Sequence, residues 1–235
     1  MFTVYKTKNP KIRIGPDGDA GYIFEDLPDY DMYVGAGVGN MECCKSDYDV
    51  ISHFNIQNVL FIDGTVPDMP DDDSKFIKKN IHFKNTDTTT NLVDELKPYS
   101  NVLLKMDIED GEWPWLLFAD YDLLNKFKQI VIEMHFLMGS QDMYTKLVCL
   151  TKLLKTHTLV HGHGNNYMPH YFSIDGVSIP GVTEFTFIRN DYATNVISTE
   201  ALPLPIDRPN DPHLPDNTQF KNINSLPVVA EPSAV

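Results

Sequence analysis

Basic side chains are scarce in this sequence. Lysine and arginine number 19 against 33 aspartates and glutamates, a formal net charge of -14. Affinity for a nucleic-acid backbone comes largely from cations that displace counterions. Beyond "FIKKN" and "YKTKNPKIR" no basic cluster occurs, so no nucleic-acid partner is expected. Long apolar runs are missing as well. No stretch approaches the ~20 residues of a membrane span, and the opening "MFTVYKTKNPKIRIG" has no signal-peptide core. The expectation is a cytoplasmic protein with no membrane partner. Cysteine is sparse and unpaired: Cys43, Cys44 and Cys149 are odd in number and show no CxxC spacing. That argues against a disulfide framework or a structural zinc, and for buried free thiols in a reducing compartment. Internal repeats are absent, and nothing in the sequence fixes an oligomeric state.

What is present is an alternation of two kinds of segment. Short β-branched or aliphatic runs occur at "DMYVGAG", "NVLFIDGT", "IHFKNTD", "NVLLKMDIE", "QIVIEMHF", "HTLVHGHG" and "EFTFIRND". Between most of them lie stretches with helical spacing: "MECCKSDYDVISHF", "TNLVDELKPY", "EWPWLLFADYDLLNKF" and "MYTKLVCLTKLLKT". Continuous apolar strands alternating with helices predict an α/β fold, a Rossmann-like, doubly wound, mostly parallel sheet of about seven strands. "EFTFIRND" follows "HTLVHGHG" with no helix between, so the last strand should be antiparallel. At 235 residues the chain fits one such domain over residues 1–194. From residue 195 to 235 it turns Pro-rich and aperiodic, an extended tail packed on or trailing from the domain, with no order expected in the last ten or so residues.

Gly35, Gly37 and Gly39 end the first strand and precede the first helix. A tight turn there lets backbone N–H groups and a helix N-terminus face a ligand. The spacing is GxGxG, not the GxGxxG dinucleotide fingerprint. The second strand ends in Asp63, placed to accept hydrogen bonds from ribose hydroxyls, and the third in Asn85 and Asp87, which should border an adenine site. Together these features imply an adenosine-containing cofactor.

The fourth and fifth strands carry the chemistry. A period of two puts Lys105, Asp107 and Glu109 on one face of "NVLLKMDIEDGEW", with Asp107 and Glu109 near the carboxyl end; "QIVIEMHF" repeats the arrangement with Glu133 and His135. Unpaired carboxylates in strands this apolar are costly, so their placement at strand ends points to function. The competing explanation is helix capping, or pairing with Lys105. His161, His163, Asn165, Asn166 and Tyr167 make a polar loop suited to a polyol. Asp19 and Tyr22 are candidates to close the cofactor pocket. Trp113 and Trp115 read as core, with stacking on a sugar as the alternative.

At these residues the sequence resembles a known family. "LLKMDIEDGEWPWL" followed by "QIVIEMHF" is similar to paired segments of the FkbM-type methyltransferases, which use S-adenosylmethionine. "IGPDGDAGYIF", "LVHGHGNNY", "VTEFTFIRND" and "LPLPIDRPNDP" resemble further segments in the same order, from about Ile14 to Asn217. Two departures stand out. Ala20 replaces a usual glycine, and the inserted Asp110 shifts the register of Glu112, which is therefore not taken as a site residue.

The resemblance implies a class I methyltransferase that binds S-adenosylmethionine through Gly35, Gly37, Gly39, Asp63, Asn85, Asp87 and Asp107. It also implies transfer of the methyl group to a hydroxyl of a sugar, a glycan or a polyketide-linked acceptor. Asp107, Glu133 and His135 would be catalytic, and Glu109, His161, Asn165 and Asn166 would contact the acceptor. His135 as general base is favoured slightly over a divalent Mg²⁺ or Mn²⁺ held by the same three residues. Two other readings stay open: an NAD(P)-dependent oxidoreductase on the same sheet, and a metal-dependent hydrolase.

Overall fold

The computed structural model describes residues 2–39, 41–67, 76–137, 141–167, 171–174, 177–222 and 224, with backbone alone at 41–43, 171–174 and 177. The chain begins with an antiparallel hairpin, β1 (Lys11–Ile14) and β2 (Tyr22–Glu25). β3 (Met32–Ala36), α1 (Met41–Phe54), β4 (Val59–Ile62) and β5 (Phe76–Ile77) follow, then a small parallel pair, β6 (Asn80–Ile81) and β7 (Thr89–Thr90). Next come β8 (Val102–Met106), α2 (Glu112–Phe118), α3 (Tyr121–Leu124), β9 (Phe127–His135) and α4 (Met143–Leu153). The last elements are β10 (His157–Gly164), the hairpin β11 (Tyr171–Ile174) and β12 (Val177–Pro180), and β13 (Val182–Arg189).

Seven strands form the central sheet in the order β10-β13-β9-β8-β3-β4-β5. From β9 to β5 all neighbours run parallel, and β13 is antiparallel to both β9 and β10. This is the Rossmann-like arrangement of class I methyltransferases. The order reverses between β3 and β8, so loops at their carboxyl ends diverge and leave a crevice there.

The period of two along each strand feeds two cores. Val34, Ala36, Leu60, Ile62, Leu104, Met106, Ile130 and Ile132 join one apolar cluster with α2 and α4. Tyr33, Phe61, Leu103 and Val131 join the other, with α1 and the first hairpin. Among the described residues no helix is long and apolar enough to cross a membrane. Cys44 and Cys149 are buried and in no disulfide among the described residues; the side chain of Cys43 lies outside the described residues.

Three expectations need correction. "TNLVDELKPY" forms turns, with a single i→i−4 bond, Leu96 N–H to Leu92 O at 3.1 Å. Asn91 accepts the Val93 N–H in a local turn and Leu92 sits at φ 71°, which breaks the helical path. The expected third strand, "IHFKNTD", is not the sheet edge; β5 is, and it is two residues long. The chain then folds onto itself through β6 and β7. The two hairpins β1–β2 and β11–β12 have no counterpart in the pattern of the sequence.

The segment after Asn195 packs on the domain. Ile197 bridges Tyr5 and Asn217 bridges Gly164, while Leu202 and Phe220 are buried in the larger core. Residues 225–235, where disorder was expected, lie outside the described residues.

Candidate functional site

A cleft of about 510 Å³ opens at the carboxyl ends of β3, β4 and β8, within the usual range of small-molecule sites. Its walls include Asp19, Gly37, Gly39, Asp63, Asn80, His82, Asp107 and Glu109.

The three glycines do different work. Gly35 lies inside β3 and is not part of the cleft wall; a Cβ there would come 2.9 Å from the Phe61 ring. Gly37 has φ +77°, and a Cβ would fall 1.6 Å from the carbonyl oxygen of Asp107. The two crossing turns, one after β3 and one after β8, can touch only because that atom is missing. Their contact is tied by Asp107 N–H to Ala36 O (2.9 Å), while Gly37 N–H donates across to Ile62 O at the end of β4 (3.0 Å). Gly39, at φ 61°, completes the turn.

Asp63 closes the turn from beneath. Its Oδ2 accepts from Val38 N–H (3.0 Å) and Gly39 N–H (3.2 Å), and its Oδ1 from Thr65 N–H, Thr65 Oγ1–H and Val66 N–H. Burial opposes the charge, but these donors outweigh it and hold the carboxylate below its ordinary pKa. Asp63 thus lines the cleft with both oxygens already engaged by protein. Asn85 and Asp87 are exposed and are not among the residues that line the cleft. Asn85 accepts from Asn91 N–H at 2.7 Å and donates to Asp94. The short edge strand brings Lys79, Asn80, Ile81 and His82 to the cleft in their place.

Asp107, from the cleft wall, converges with the buried Glu133 and His135, which do not line the cleft, with one ligand-type atom from each inside a 4.8 Å group. Parallel pairing of Met106 with Ile132 sets Asp107 beside Glu133, and the two-residue period brings His135 to the same face. His135 Nε2 lies 3.9 Å from Asp107 Oδ1, 3.8 Å from Glu133 Oε2 and 3.4 Å from Glu109 Oε2. Glu109 stands at φ 52° with its side chain 86% exposed, in a turn where the β8 alternation has already ended.

Each member of the group is oriented by a second residue. Tyr22 OH donates to Asp107 Oδ2 at 3.0 Å, and Asn165 Nδ2 to Glu133 Oε1 at 2.6 Å. Glu112 is fully buried; its Oε1 accepts the His135 backbone N–H at 2.7 Å and lies 3.4 Å from His135 Nδ1. Glu112 is the residue that sequence reasoning set aside. After the Glu109–Asp110 turn, α2 delivers it to the back of His135. Lys105 points away from the group, toward the buried Asp47 at 3.8 Å.

Burial, reinforced by the charges of Asp107 and Glu184, pushes the Glu133 carboxyl well above its ordinary pKa. For His135 burial acts downward, but the bond and charge of Glu112, with Asp107 and Glu109, win and raise it.

The expected polar loop is divided by the structure. His161 and His163 belong to β10, and only Asn165 touches the group at Asp107. His161 Nε2 pairs with Asp207 at 3.0 Å, and His163 bridges Asp216 (2.9 Å) and Glu184 (3.5 Å). Asn166 binds the carbonyls of Asp211, Leu214 and Pro215. These residues hold the tail in place. Asn210, from the tail, donates to Asp19 of the cleft wall (3.1 Å) and to Glu184 (2.7 Å). Trp113 and Trp115 are buried, their indole N–H groups donating to His135 O (2.8 Å) and Asn91 O (3.2 Å), so neither offers a face to a sugar.

The sequence matches no family model and no curated protein. Among solved structures, a candidate RNA methyltransferase from Pyrococcus horikoshii aligns with a TM-score of 0.37 at 9% identity, covering 68% of this chain and 75% of that one. A likeness that loose carries no argument. The class I methyltransferase-like fold rests on the strand order itself.

Proposed function

We propose that the protein is an S-adenosylmethionine-dependent O-methyltransferase acting on a hydroxyl of a sugar or glycan. One observation carries the reading: the cleft that runs past the glycine turn of β3 is also walled by Asp107, whose carboxylate gathers with that of Glu133 and the imidazole of His135 behind it. The resemblance to the FkbM-type enzymes supports the sugar acceptor.

The cofactor fits the residues present. The turn at Gly37 and Gly39 presents bare backbone to the cleft, and Asn80 and His82 offer polar edges for an adenosine. S-adenosylmethionine supplies a methyl group already activated on a sulfonium. Transfer to a hydroxyl would release its proton, which a group of the chain must take up or a bound cation must make acidic. The protein holds the acceptor oxygen in line with carbon and sulfur, which is worth up to ~7–11 kcal/mol. Asp107, Glu133 and His135 receive the proton or hold a divalent cation that acidifies the hydroxyl, and Glu109 and Asn165 frame the acceptor.

The test is methyl transfer from labelled S-adenosylmethionine to a panel of glycosides, with NAD(P)H turnover and cofactor-free hydrolysis as controls. Label in a sugar ether is the expected result. Turnover of either control without methyl transfer would replace this reading by the oxidoreductase or the hydrolase.

A further inference from the structure

We infer that Asp107, Glu133 and His135 form a divalent-cation site, and that the ion rather than His135 acidifies the acceptor hydroxyl. The second clause rests on the methyltransferase reading, whereas the site itself does not.

Three features carry it. The first is the ligand set. Two carboxylates and one imidazole from adjacent strands bring one atom each within 4.8 Å of one another. An ion bound at ~2.1 Å sets neighbouring octahedral ligands ~3.0 Å apart, so the 3.8 and 3.9 Å separations from His135 Nε2 must shorten by under ~1 Å, which small inward side-chain rotations supply.

The second is how the atoms are divided. Tyr22 holds Asp107 Oδ2, Asn165 holds Glu133 Oε1, and Glu112 faces His135 Nδ1. In each residue the atom left over faces the common centre. Ligands of bound metals are oriented in this way by outer hydrogen bonds; those on Asp107 and Glu133 are formed, and the Glu112 carboxylate stands 3.4 Å from His135 Nδ1 without a formed bond.

The third is Asp107 Oδ1, which is buried without a hydrogen-bond partner. Its sister oxygen is bonded, so simple misorientation does not explain the vacancy. A cation would satisfy it.

The mixed oxygen and nitrogen set favours Mn²⁺ over Mg²⁺, because imidazole is a softer ligand than water or carboxylate. Glu109, exposed and 3.4 Å from His135 Nε2, stands on the open side where the acceptor must enter. A hydroxyl coordinated there loses its proton to Glu109 and then to solvent. The alkoxide oxygen attacks the methyl carbon, and sulfur departs with the C–S electron pair.

The experiment is a Mn²⁺ titration of the full chain without S-adenosylmethionine, followed by loss of the free Mn²⁺ paramagnetic-resonance signal. One site per chain is expected, weakened at least tenfold by Asp107→Asn and by Glu133→Gln. Asn165→Ala, at an orienting residue, should weaken it ~10–100-fold. Circular dichroism of each variant guards against misfolding. No stoichiometric binding by the unmodified chain, or equal binding by the two carboxylate variants, would overturn the site. If Mn²⁺ binds as expected while S-adenosylmethionine does not, the cation site stands and the methyltransferase reading fails.

Discussion

Gly37→Ala tests the architecture of the cleft at its tightest point. The added Cβ would lie 1.6 Å from the Asp107 carbonyl oxygen, about half a normal contact, and that oxygen belongs to backbone that cannot rotate aside. The φ of +77° adds the left-handed penalty, about 1–2 kcal/mol for a residue with a side chain. Relief requires Gly37 to move off the β8 turn, which breaks the Asp107 N–H bond to Ala36 O and draws the Gly37 N–H off Ile62 O of β4. Each contributes about 1 kcal/mol net. The total is ~3–4 kcal/mol, a large share of a typical 5–15 kcal/mol stability. At ~2–4 °C per kcal/mol for a chain of this size, Tm should fall by roughly 6–16 °C. Gly35→Ala is the control, because its Cβ meets side-chain rather than backbone atoms, the Phe61 ring at 2.9 Å and the Tyr33 ring at 3.2 Å, and its φ is not left-handed. Thermal and urea unfolding of both variants measure the difference. A Gly37→Ala protein with the parent's Tm, or one no less stable than Gly35→Ala, would refute the crossing of the two turns.

Asp63→Ala removes the acceptor of five donors around the glycine turn and should cost ~2–4 kcal/mol by urea unfolding, less than the sum because the freed donors meet solvent. Glu112→Ala strips a buried acceptor from the His135 backbone and should lower stability by ~2–3 kcal/mol, with Glu112→Gln recovering part of the loss in the same assay. His163 is raised from 6.5 to about 10, because Asp216 and Glu184 outweigh the effect of burial. A raised histidine stabilises fully below its unfolded pKa and stops doing so as pH climbs through the folded one. Limited proteolysis should therefore release the tail more readily at pH 10 than at pH 6, and His163→Asn should flatten that dependence.

The sheet was legible because continuous apolar strands and helical stripes leave strong periodic signals. Asp107, Glu133 and His135 were legible for a related reason: charged residues at the ends of apolar strands are costly, and parallel pairing brings neighbouring strand ends together. Asn85 and Asp87 went astray because the edge strand is only two residues long, and a weak periodic signal does not show where such a strand stops. Glu112 was hidden by the turn at Glu109 and Asp110, two residues at positive φ that the two-residue period of β8 does not foresee. His161 and Asn166 carry the polar chemistry expected of an acceptor site, yet their partners come from the tail, more than forty residues away in sequence. Asp63 shows the limit of positional reasoning most clearly. Its place at the end of β4 was read correctly, but the donors that occupy it come from local turns with no periodic signature.

Isothermal titration of S-adenosylmethionine and S-adenosylhomocysteine into the full chain, with NADH as comparator, tests the central claim most directly. Saturable micromolar binding of both sulfur compounds, no response to NADH, and loss of binding in Gly37→Ala at a temperature where that variant is folded are the predicted results. Absence of heat with either sulfur compound, in the presence and absence of Mn²⁺, would contradict the methyltransferase reading and leave the cleft to a different ligand.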